Sequence, residues 1–220
     1  PDLDKSKPIV AILDHAGGDR PADAKLIRDM CQQVQTSHDI QCISALAFWG
    51  EAGVLAAQEL KQIKQQLTAI VMLQDFVIGG GEGREKVTEA LDTLNVPVIK
   101  AIKLRDRSAI ERQLSSDGLA HDKVYYQVAM PGLQGASQPL VIATAGDSHQ
   151  DPLTGIQVQG VVAEPSGITS VLTRVSRWHN LQRKANRDKK IAIIYYNHPP
   201  GRHNIGADNL DVPASLWQIL

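Results

Sequence analysis

Near the start of the chain lies the run Pro8-Ile9-Val10-Ala11-Ile12-Leu13, which is apolar throughout instead of alternating with polar residues. This pattern predicts a strand buried on both faces, as in parallel sheets. A polar loop follows, and Pro21 stands where a helix would begin. The apolar residues behind it keep helical spacing: Ala24, Ile27, Cys31 and Val34. The opening of the chain therefore predicts a buried strand followed by a helix.

The alternation of strand and helix continues through the first half of the chain. We predict further strands at residues 40–47, 68–73 and 96–102, with helices between them at about 51–66 and 85–94. Connections this short favour right-handed crossovers, which place the strands parallel to one another. The sequence therefore predicts an α/β fold with a doubly wound, mainly parallel sheet of the Rossmann-like or flavodoxin-like type.

The second half of the chain is less regular. In chain order, we predict a short helix at 108–114, strands at 140–145 and 156–163, and an amphipathic helix from Ser166 to about Ala185. Residues 124–130 fit a strand and a helix equally well. Residues 191–196 resemble residues 8–13 and predict the first strand of a second α/β unit. Asp211 is the expected N-cap of the helix that follows, and Pro213 suits its first turn.

These patterns divide the chain into three segments. We predict an α/β domain over residues 1–165, a connecting amphipathic helix over 166–189, and the start of a second α/β unit over 190–220. One strand and part of a helix are too little for a hydrophobic core. We therefore expect the chain to be an internal fragment of a longer, soluble protein, and to be inactive as an enzyme on its own.

Composition and charge exclude several classes of protein. The 23 basic and 24 acidic residues give a net charge of −1, so no strong field attracts nucleic acid or an anionic membrane. The apolar runs are too short to span a bilayer. Cys31 and Cys42 lack the spacing of a metal site, and we interpret them as buried free thiols, not as a disulfide. Free thiols favour a reducing compartment such as the cytoplasm.

A glycine-rich turn, Gly79-Gly80-Gly81-Glu82-Gly83, follows a predicted strand and precedes a helix. Backbone amides in this position can hold an anion. The turn lacks the third glycine of a dinucleotide fingerprint and the Gly-Lys-Ser/Thr of a P-loop. Two interpretations stay open: the glycines serve tight backbone geometry, or the loop faces a ligand with Glu82 or Arg84 pointing into a crevice.

The histidines do not have the spacing of a metal site, and we predict none. His15 follows the first strand, on the side where α/β sheets bind ligands. His198 and His203 flank a long loop between a strand and a helix. Long ordered loops often carry function, so this loop is a candidate for lining a binding site.

Four ordered blocks of the sequence carry a resemblance to a known family. They are the glycine turn with Val96-Pro97-Val98; Gln127-Val128-Ala129-Met130-Pro131-Gly132-Leu133-Gln134-Gly135; Arg174-Val175-Ser176-Arg177-Trp178 with Leu181; and Asn197-His198-Pro199-Pro200-Gly201-Arg202-His203-Asn204-Ile205-Gly206 followed by Leu210-Asp211-Val212-Pro213-Ala214-Ser215. Together they resemble the large subunit of ATP-dependent metal chelatases, of the cobaltochelatase (CobN) or magnesium chelatase H type. The resemblance covers residues 76–220 well.

The resemblance implies a protein that holds a tetrapyrrole, either hydrogenobyrinic acid diamide or protoporphyrin. Two smaller AAA+-related subunits would bind ATP with Mg²⁺ and drive the insertion of cobalt or magnesium, the substrate metal. That division of labour agrees with the missing P-loop. The parent protein would be a cobaltochelatase-type ligase of cobalamin-type biosynthesis, and we expect no cofactor on this fragment itself.

The resemblance also suggests where ligand would bind. The candidate ligand-binding residues lie in loops at strand ends: His198, His203, Asn204, Glu82 and His15. The residues that would shape the motif loop are Pro199, Pro200, Gly201 and Gly206. Partly buried His, Glu or Asp suit the acceptance of pyrrole protons and the desolvation of a metal.

Two departures from the family pattern leave other functions open. Gly132 and Gln134 stand where the family has a glutamate and an aspartate. A related protein that removes metal from haem or serves metal uptake is therefore an alternative. A non-catalytic domain that binds a small ligand is another, because open α/β sheets have many functions.

Overall fold

The computed structural model describes residues 3–16, 21–194, 206–207 and 210–219. These residues form two compact units, one within Pro1–Arg183 and the other within Lys184–Leu220. The strands of the first unit are β1 (Ile9–His15), β2 (Gln41–Ala47), β3 (Leu67–Met72), β4 (Val98–Lys103), β5 (Ala136–Gln150) and β6 (Gln157–Ala163). Its helices are α1 (Pro21–His38), α2 (Glu51–Glu59), α3 (Gly80–Leu94), α4 (Ala109–Leu114), α5 (His121–Val124), α6 (Met130–Gly132) and α7 (Pro165–Arg183).

The six strands form one sheet in the order β2-β1-β3-β4-β5-β6. Strands β1 to β5 pair in parallel, and β6 is antiparallel to β5. The register of β1 with β2 runs without a break from Ile9↔Gln41 to His15↔Ala47. The predicted α/β fold with a mainly parallel, doubly wound sheet is confirmed.

Helices cover both faces of the sheet. On one face, α1 and α7 contribute the core residues Leu26, Ile27, Met30, Val34, Ile168, Val171, Leu172 and Val175. On the other face, α2 and α3 contribute Val54, Ala57, Val87, Ala90, Leu91 and Leu94. Because both faces are covered, residues 9–14 of β1 are all buried, which explains why that strand is apolar without alternation.

Two uncertain stretches of the second half are helical. The short helix predicted at 108–114 is α4, and Ser108 and Glu111 cap it reciprocally as a capping box. The ambiguous residues 124–130 continue α5 through one turn of π-helix, Tyr125–Ala129, into α6. A π-turn shifts the helical period, so the apolar pattern of this stretch does not distinguish a helix from a strand.

The prediction of free cysteines is wrong, because Cys31 and Cys42 form a disulfide. Cys31 lies in a helix and Cys42 in a strand, as the sequence predicted. Helix α1 packs directly against the strand that follows it, which brings the two Cα atoms to 5.1 Å, within the range of a disulfide. Sequence spacing alone does not report this contact.

The second unit contains a short 3₁₀ turn (Asn186–Asp188), the antiparallel pair β7 (Gly206–Ala207) and β8 (Leu210–Asp211), and helix α8 (Val212–Ile219). Asp211 Oδ1 accepts a hydrogen bond from the amide of Ala214 at 3.0 Å, so the predicted N-cap is confirmed. The strand predicted at 191–196 is wrong for residues 191–194, which form none. No strand among the described residues pairs with them, and Ile191 and Ile194 are exposed.

Candidate functional site

The carboxyl ends of the parallel strands form one edge of the sheet, which we call the carboxyl edge. Strands β1 and β3 are neighbours, although β2 lies between them in sequence. The connections from β1 and from β3 therefore leave in opposite directions and open a crevice between them. Doubly wound folds bind ligands in such crevices. The residues placed there are Asp14, His15, Phe48, Trp49, Gln74, Asp75 and Phe76.

Five aromatic residues lie at this edge, and we call them the aromatic platform. Trp49, Phe76, Tyr126 and Tyr125 are in ring contact one after another, and Phe48 directly precedes Trp49 in the chain. The rings of Trp49 and Phe76 are stacked, with centroids 5.4 Å apart and planes 19° apart. Phe76 contacts Tyr126 at 5.6 Å, and Tyr126 meets Tyr125 edge-on at 5.1 Å. The amide of Phe76 donates to the carbonyl of Tyr126 at 2.8 Å, which fixes the π-turn against the loop after β3.

The platform is exposed to an unusual degree. The whole chain has only nine Phe, Trp and Tyr residues, and five of them lie here. Phe48 is 62% exposed, and Trp49, Tyr125 and Tyr126 are each about half exposed. Large rings contribute most to stability when they are buried, so a group of exposed rings at one edge marks a candidate interaction surface.

The glycine turn leaves room for this platform. Gly79 and Gly80 have φ angles of +87° and +47°, which side chains other than glycine rarely adopt. A Cβ atom on Gly80 would overlap the indole of Trp49. A Cβ atom on Gly79 would lie 2.7 Å from the carbonyl oxygen of Gly83. The interpretation as tight backbone geometry is confirmed at these two positions, and one consequence is the placement of Trp49.

A buried lysine lies close to the platform. Lys100 on β4 is 1% exposed, and its Nζ donates to the carbonyls of Gln74 at 2.8 Å and Ala101 at 3.2 Å. Burial lowers the pKa of Lys100 to about 8, and the nearby carboxylate of Asp75 opposes that shift. Lys100 Nζ lies 3.7 Å from Asp75 Oδ1.

Two buried amide side chains surround this ion pair. Gln127 Nε2 donates to Asp75 Oδ1 at 3.2 Å. Within the described part of the chain, Gln127 Oε1 and the Nε2 of the buried Gln74 have no hydrogen-bond partner. Unpaired buried polar atoms are uncommon in folded proteins and are often found where a water molecule or ligand completes the structure.

A second buried charge cluster lies beneath the carboxyl edge. Lys103 Nζ is 2.6 Å from Asp14 Oδ2 and 3.8 Å from Asp23 Oδ1, and all three side chains are at most 8% exposed. Arg105 donates to both carboxylate oxygens of Asp23, at 2.9 and 2.6 Å. Asp14 also accepts the amide of His15 at 2.8 Å. The two acidic and two basic groups compensate each other and fix the end of β1.

The structure places two of the predicted site residues. His15 lies at the carboxyl edge, with its ring 6.4 Å from that of Phe48 and nearly perpendicular to it. Glu82 is exposed in the first turn of α3, just after the glycines. His198, His203, Asn204, Pro199, Pro200 and Gly201 lie outside the described residues. Gly206 begins β7 in the second unit. The ligand-binding role of these residues stays a prediction.

Sequence reasoning missed the aromatic platform and the Lys100–Asp75 pair. The rings come from three segments far apart in the chain, so no single motif contains them. A usable signal was present: Phe48 and Trp49 follow a predicted strand directly, and Phe76 follows another by a few residues. Lysines at positions 100 and 103 inside a predicted buried strand were a second signal, because buried lysines are rarely without a partner.

The described residues hold neither a metal-binding cluster nor a membrane span. No group of three or more His, Cys, Asp or Glu side chains in the described ranges is arranged to hold a metal ion. Among the helices of the same ranges, none has the length and apolar character needed to cross a bilayer.

Fold and site together define a doubly wound α/β protein with an exposed aromatic surface at the carboxyl edge of its sheet. Comparison with known proteins gives the family. The family profile described as CobN/Magnesium Chelatase matches residues 2–220. The chain belongs to the CobN/magnesium chelatase family.

Individual relatives agree with this assignment. The chloroplastic magnesium-chelatase subunit ChlH of Oryza sativa is 35% identical over 161 residues, which cover 71% of this chain and 11% of the relative. The aerobic cobaltochelatase subunit CobN of Pseudomonas aeruginosa is 26% identical over 220 residues, 100% of this chain and 17% of the relative. A magnesium-chelatase subunit of Chlorobaculum parvum is 25% identical over 194 residues, 83% and 14% of the two chains. The chain thus spans less than a fifth of the length of these relatives.

Proposed function

We propose that this chain is part of the tetrapyrrole-holding large subunit of a metal chelatase, and that the aromatic platform contacts one face of the macrocycle. The observation that carries the proposal is the exposed row of rings from Trp49 through Phe76 and Tyr126 to Tyr125. A tetrapyrrole is a flat, largely apolar π-system, and stacking on aromatic side chains is the contact that such a ring forms best.

The family membership supports several finer proposals about the parent protein. The metal that the parent protein inserts would be cobalt or magnesium, into a corrinoid or a porphyrin. ATP hydrolysis would belong to AAA+ partner subunits, as the family resemblance implies. The reaction would take place in the cytoplasm, as part of cobalamin-type biosynthesis.

We propose binding roles for the loop residues as well. His15 stands beside Phe48 at one end of the platform, where it can reach the edge of a stacked ring. Glu82 follows the glycine turn that positions Trp49. His198, His203 and Asn204 are proposed ligand-binding residues of the motif loop in the second unit. Pro199, Pro200, Gly201 and Gly206 would shape the backbone of that loop.

The size of the expected contact follows from the exposure of Trp49. A tryptophan side chain buries up to about 250 Å², and 49% of Trp49 is exposed. A ring that covers this surface removes about 120 Å² from water, worth about 3 kcal/mol at 25 cal/mol per Å². An alanine keeps part of that contact, so we expect Trp49→Ala to weaken binding by about 2 kcal/mol, or about 30-fold in the dissociation constant.

The test is a titration of the 220-residue chain with free-base deuteroporphyrin, followed by Soret absorbance and calorimetry. The control variant is Leu153→Ala, which removes an apolar side chain that is 93% exposed in the β5–β6 hairpin. We expect Trp49→Ala to weaken binding and Leu153→Ala to leave it unchanged. Equal affinity of wild type and Trp49→Ala, or no saturable binding at all, would contradict the proposal. His198→Ala and His203→Ala, titrated in parallel, test the motif loop.

A further inference from the structure

Inserting a divalent metal into a free-base tetrapyrrole releases the two pyrrole N–H protons of the ring. A group that accepts these protons must lie close to the face of the ring. The assignment of such a group rests on the proposed function, because it assumes that a tetrapyrrole lies on the aromatic platform. The acceptor must therefore be a side chain next to the platform that carries a basic group able to take up a proton.

Asp75 is connected to the platform on two sides. It directly precedes Phe76 in the chain, and its Oδ1 accepts a hydrogen bond from Gln127, the residue directly after Tyr126. Phe76 and Tyr126 are in ring contact, and their backbones are hydrogen-bonded. The Asp75 carboxylate therefore joins the two segments that carry the central rings of the platform.

One side of the Asp75 carboxylate is anchored. Gln127 Nε2 at 3.2 Å and Lys100 Nζ at 3.7 Å both approach Oδ1. The side chain as a whole is 44% exposed, whereas Lys100 is 1% exposed. A carboxylate with one oxygen held from inside the protein and a surface open to solvent can accept a proton and later return it to water.

We propose that Asp75 accepts a pyrrole N–H proton from a tetrapyrrole held on the aromatic platform, with Lys100 and Gln127 as positioning residues. The pyrrole N–H bond breaks, and its electron pair stays on nitrogen and is donated to the incoming metal dication. An O–H bond forms on the Asp75 carboxylate. Asp75 then releases the proton to water, and the second pyrrole proton leaves by the same route.

Several charged groups lie around Asp75 and act on a charged ring next to it. From β4, Lys100 faces it directly, and Lys103 and Asp14 act on Lys100 from further away. Among the described residues, the carboxyl edge also carries His15 and the phenols of Tyr125 and Tyr126. Lys100 places a positive charge 3.7 Å from Asp75 Oδ1, so its removal takes away a charge that repels a positively charged ring beside the carboxylate.

The test measures the protonation of a bound ring. Free-base deuteroporphyrin gains a proton on an inner nitrogen as the pH falls, and the Soret band reports this change. A carboxylate next to the ring nitrogens stabilises the cation, so in the wild type the bound ring is protonated at a pH at least about one unit higher than in Asp75→Asn. Asp75→Glu restores most of the difference. Lys100→Met shifts the midpoint in the opposite direction from Asp75→Asn.

The outcomes separate this inference from the proposed function. If Asp75→Asn binds the porphyrin as tightly as wild type but its bound ring has the same protonation midpoint, Asp75 does not face the ring nitrogens. The inference is then wrong, and the proposed function stands. If the folded wild type binds no porphyrin, both are wrong. Circular dichroism of Asp75→Asn and Lys100→Met checks that each variant is folded, and the opposite shifts expected for the two variants exclude a common structural effect.

Discussion

The burial of Lys100 predicts how the free energy of unfolding changes with pH. Burial lowers its pKa from an ordinary 10.5 to about 8. Between these two values the unfolded chain keeps a proton on Lys100 that the folded protein has lost. Raising the pH through this window therefore favours the folded state. A pKa difference of this size corresponds to about 3 kcal/mol, all of it opposing folding at pH 7.

Lys100→Met removes this pH dependence, because methionine does not titrate. The measurement is urea unfolding followed by far-UV circular dichroism from pH 7 to pH 10.5, for wild type and variant. The free energy of unfolding of the wild type should rise relative to that of Lys100→Met by about 3 kcal/mol across the window. Lys86→Met, at an exposed lysine of α3, is the matched control and should track the wild type. Both cysteines are in the disulfide, so thiol exchange at high pH does not interfere. A wild-type-minus-variant difference that stays constant with pH would refute the assignment of Lys100 as a desolvated cation.

Two further predictions concern the framework of the sheet. Lys103→Met leaves the buried carboxylate of Asp14 without its partner at 2.6 Å, so we expect the free energy of unfolding in urea to fall by about 3–5 kcal/mol. Adding Asp14→Asn should recover most of this loss. A loss no larger than that of an ordinary surface substitution would contradict the prediction. The Cys31–Cys42 disulfide closes a short loop with a sequence separation of 11. Loop-closure entropy predicts that the disulfide adds about 3 kcal/mol to the free energy of unfolding. Reductant, or the double change of Cys31 and Cys42 to serine, should remove this contribution. An unchanged urea midpoint after complete reduction would argue against the bond.

The fold was predictable because burial leaves a direct mark on the sequence. A strand covered by helices on both faces has no room for alternating polar residues, so a continuous apolar run such as residues 8–13 can be recognised as a buried strand. Short connections then fix the parallel direction and the handedness of the crossovers. The same reasoning fails for residues 191–194, which have the composition of a strand but no strand to pair with among the described residues. Composition reports the tendency to form a strand, whereas pairing depends on a neighbour.

The candidate site was less predictable, because it depends on contacts between distant segments. His15 was located correctly at the carboxyl edge, since its position follows from the end of a strand. The stacking of Trp49 on Phe76 depends on the glycine turn at Gly79 and Gly80, which makes room for the indole. The disulfide was missed for the same reason: it reflects how α1 packs on β2, and sequence spacing does not contain that distance.

The departures from the family pattern at positions 132 and 134 have different physical consequences. Gln134 is buried, and its amide accepts from the Ile78 amide at 2.7 Å and donates to the Ile78 carbonyl at 2.9 Å. An aspartate could accept but not donate, and it would be a buried charge. Glutamine thus holds the start of the glycine turn as a neutral residue.

At position 132, by contrast, a Cβ atom would have no neighbour within 4 Å, so the fold does not depend on the side chain there. Neutral residues fit the structure at both positions, so neither Gly132 nor Gln134 places a carboxylate on the segment that follows Tyr125 and Tyr126. This segment holds a carboxylate through Gln127, which binds Asp75. Asp75 is therefore the carboxylate that the structure holds against this segment.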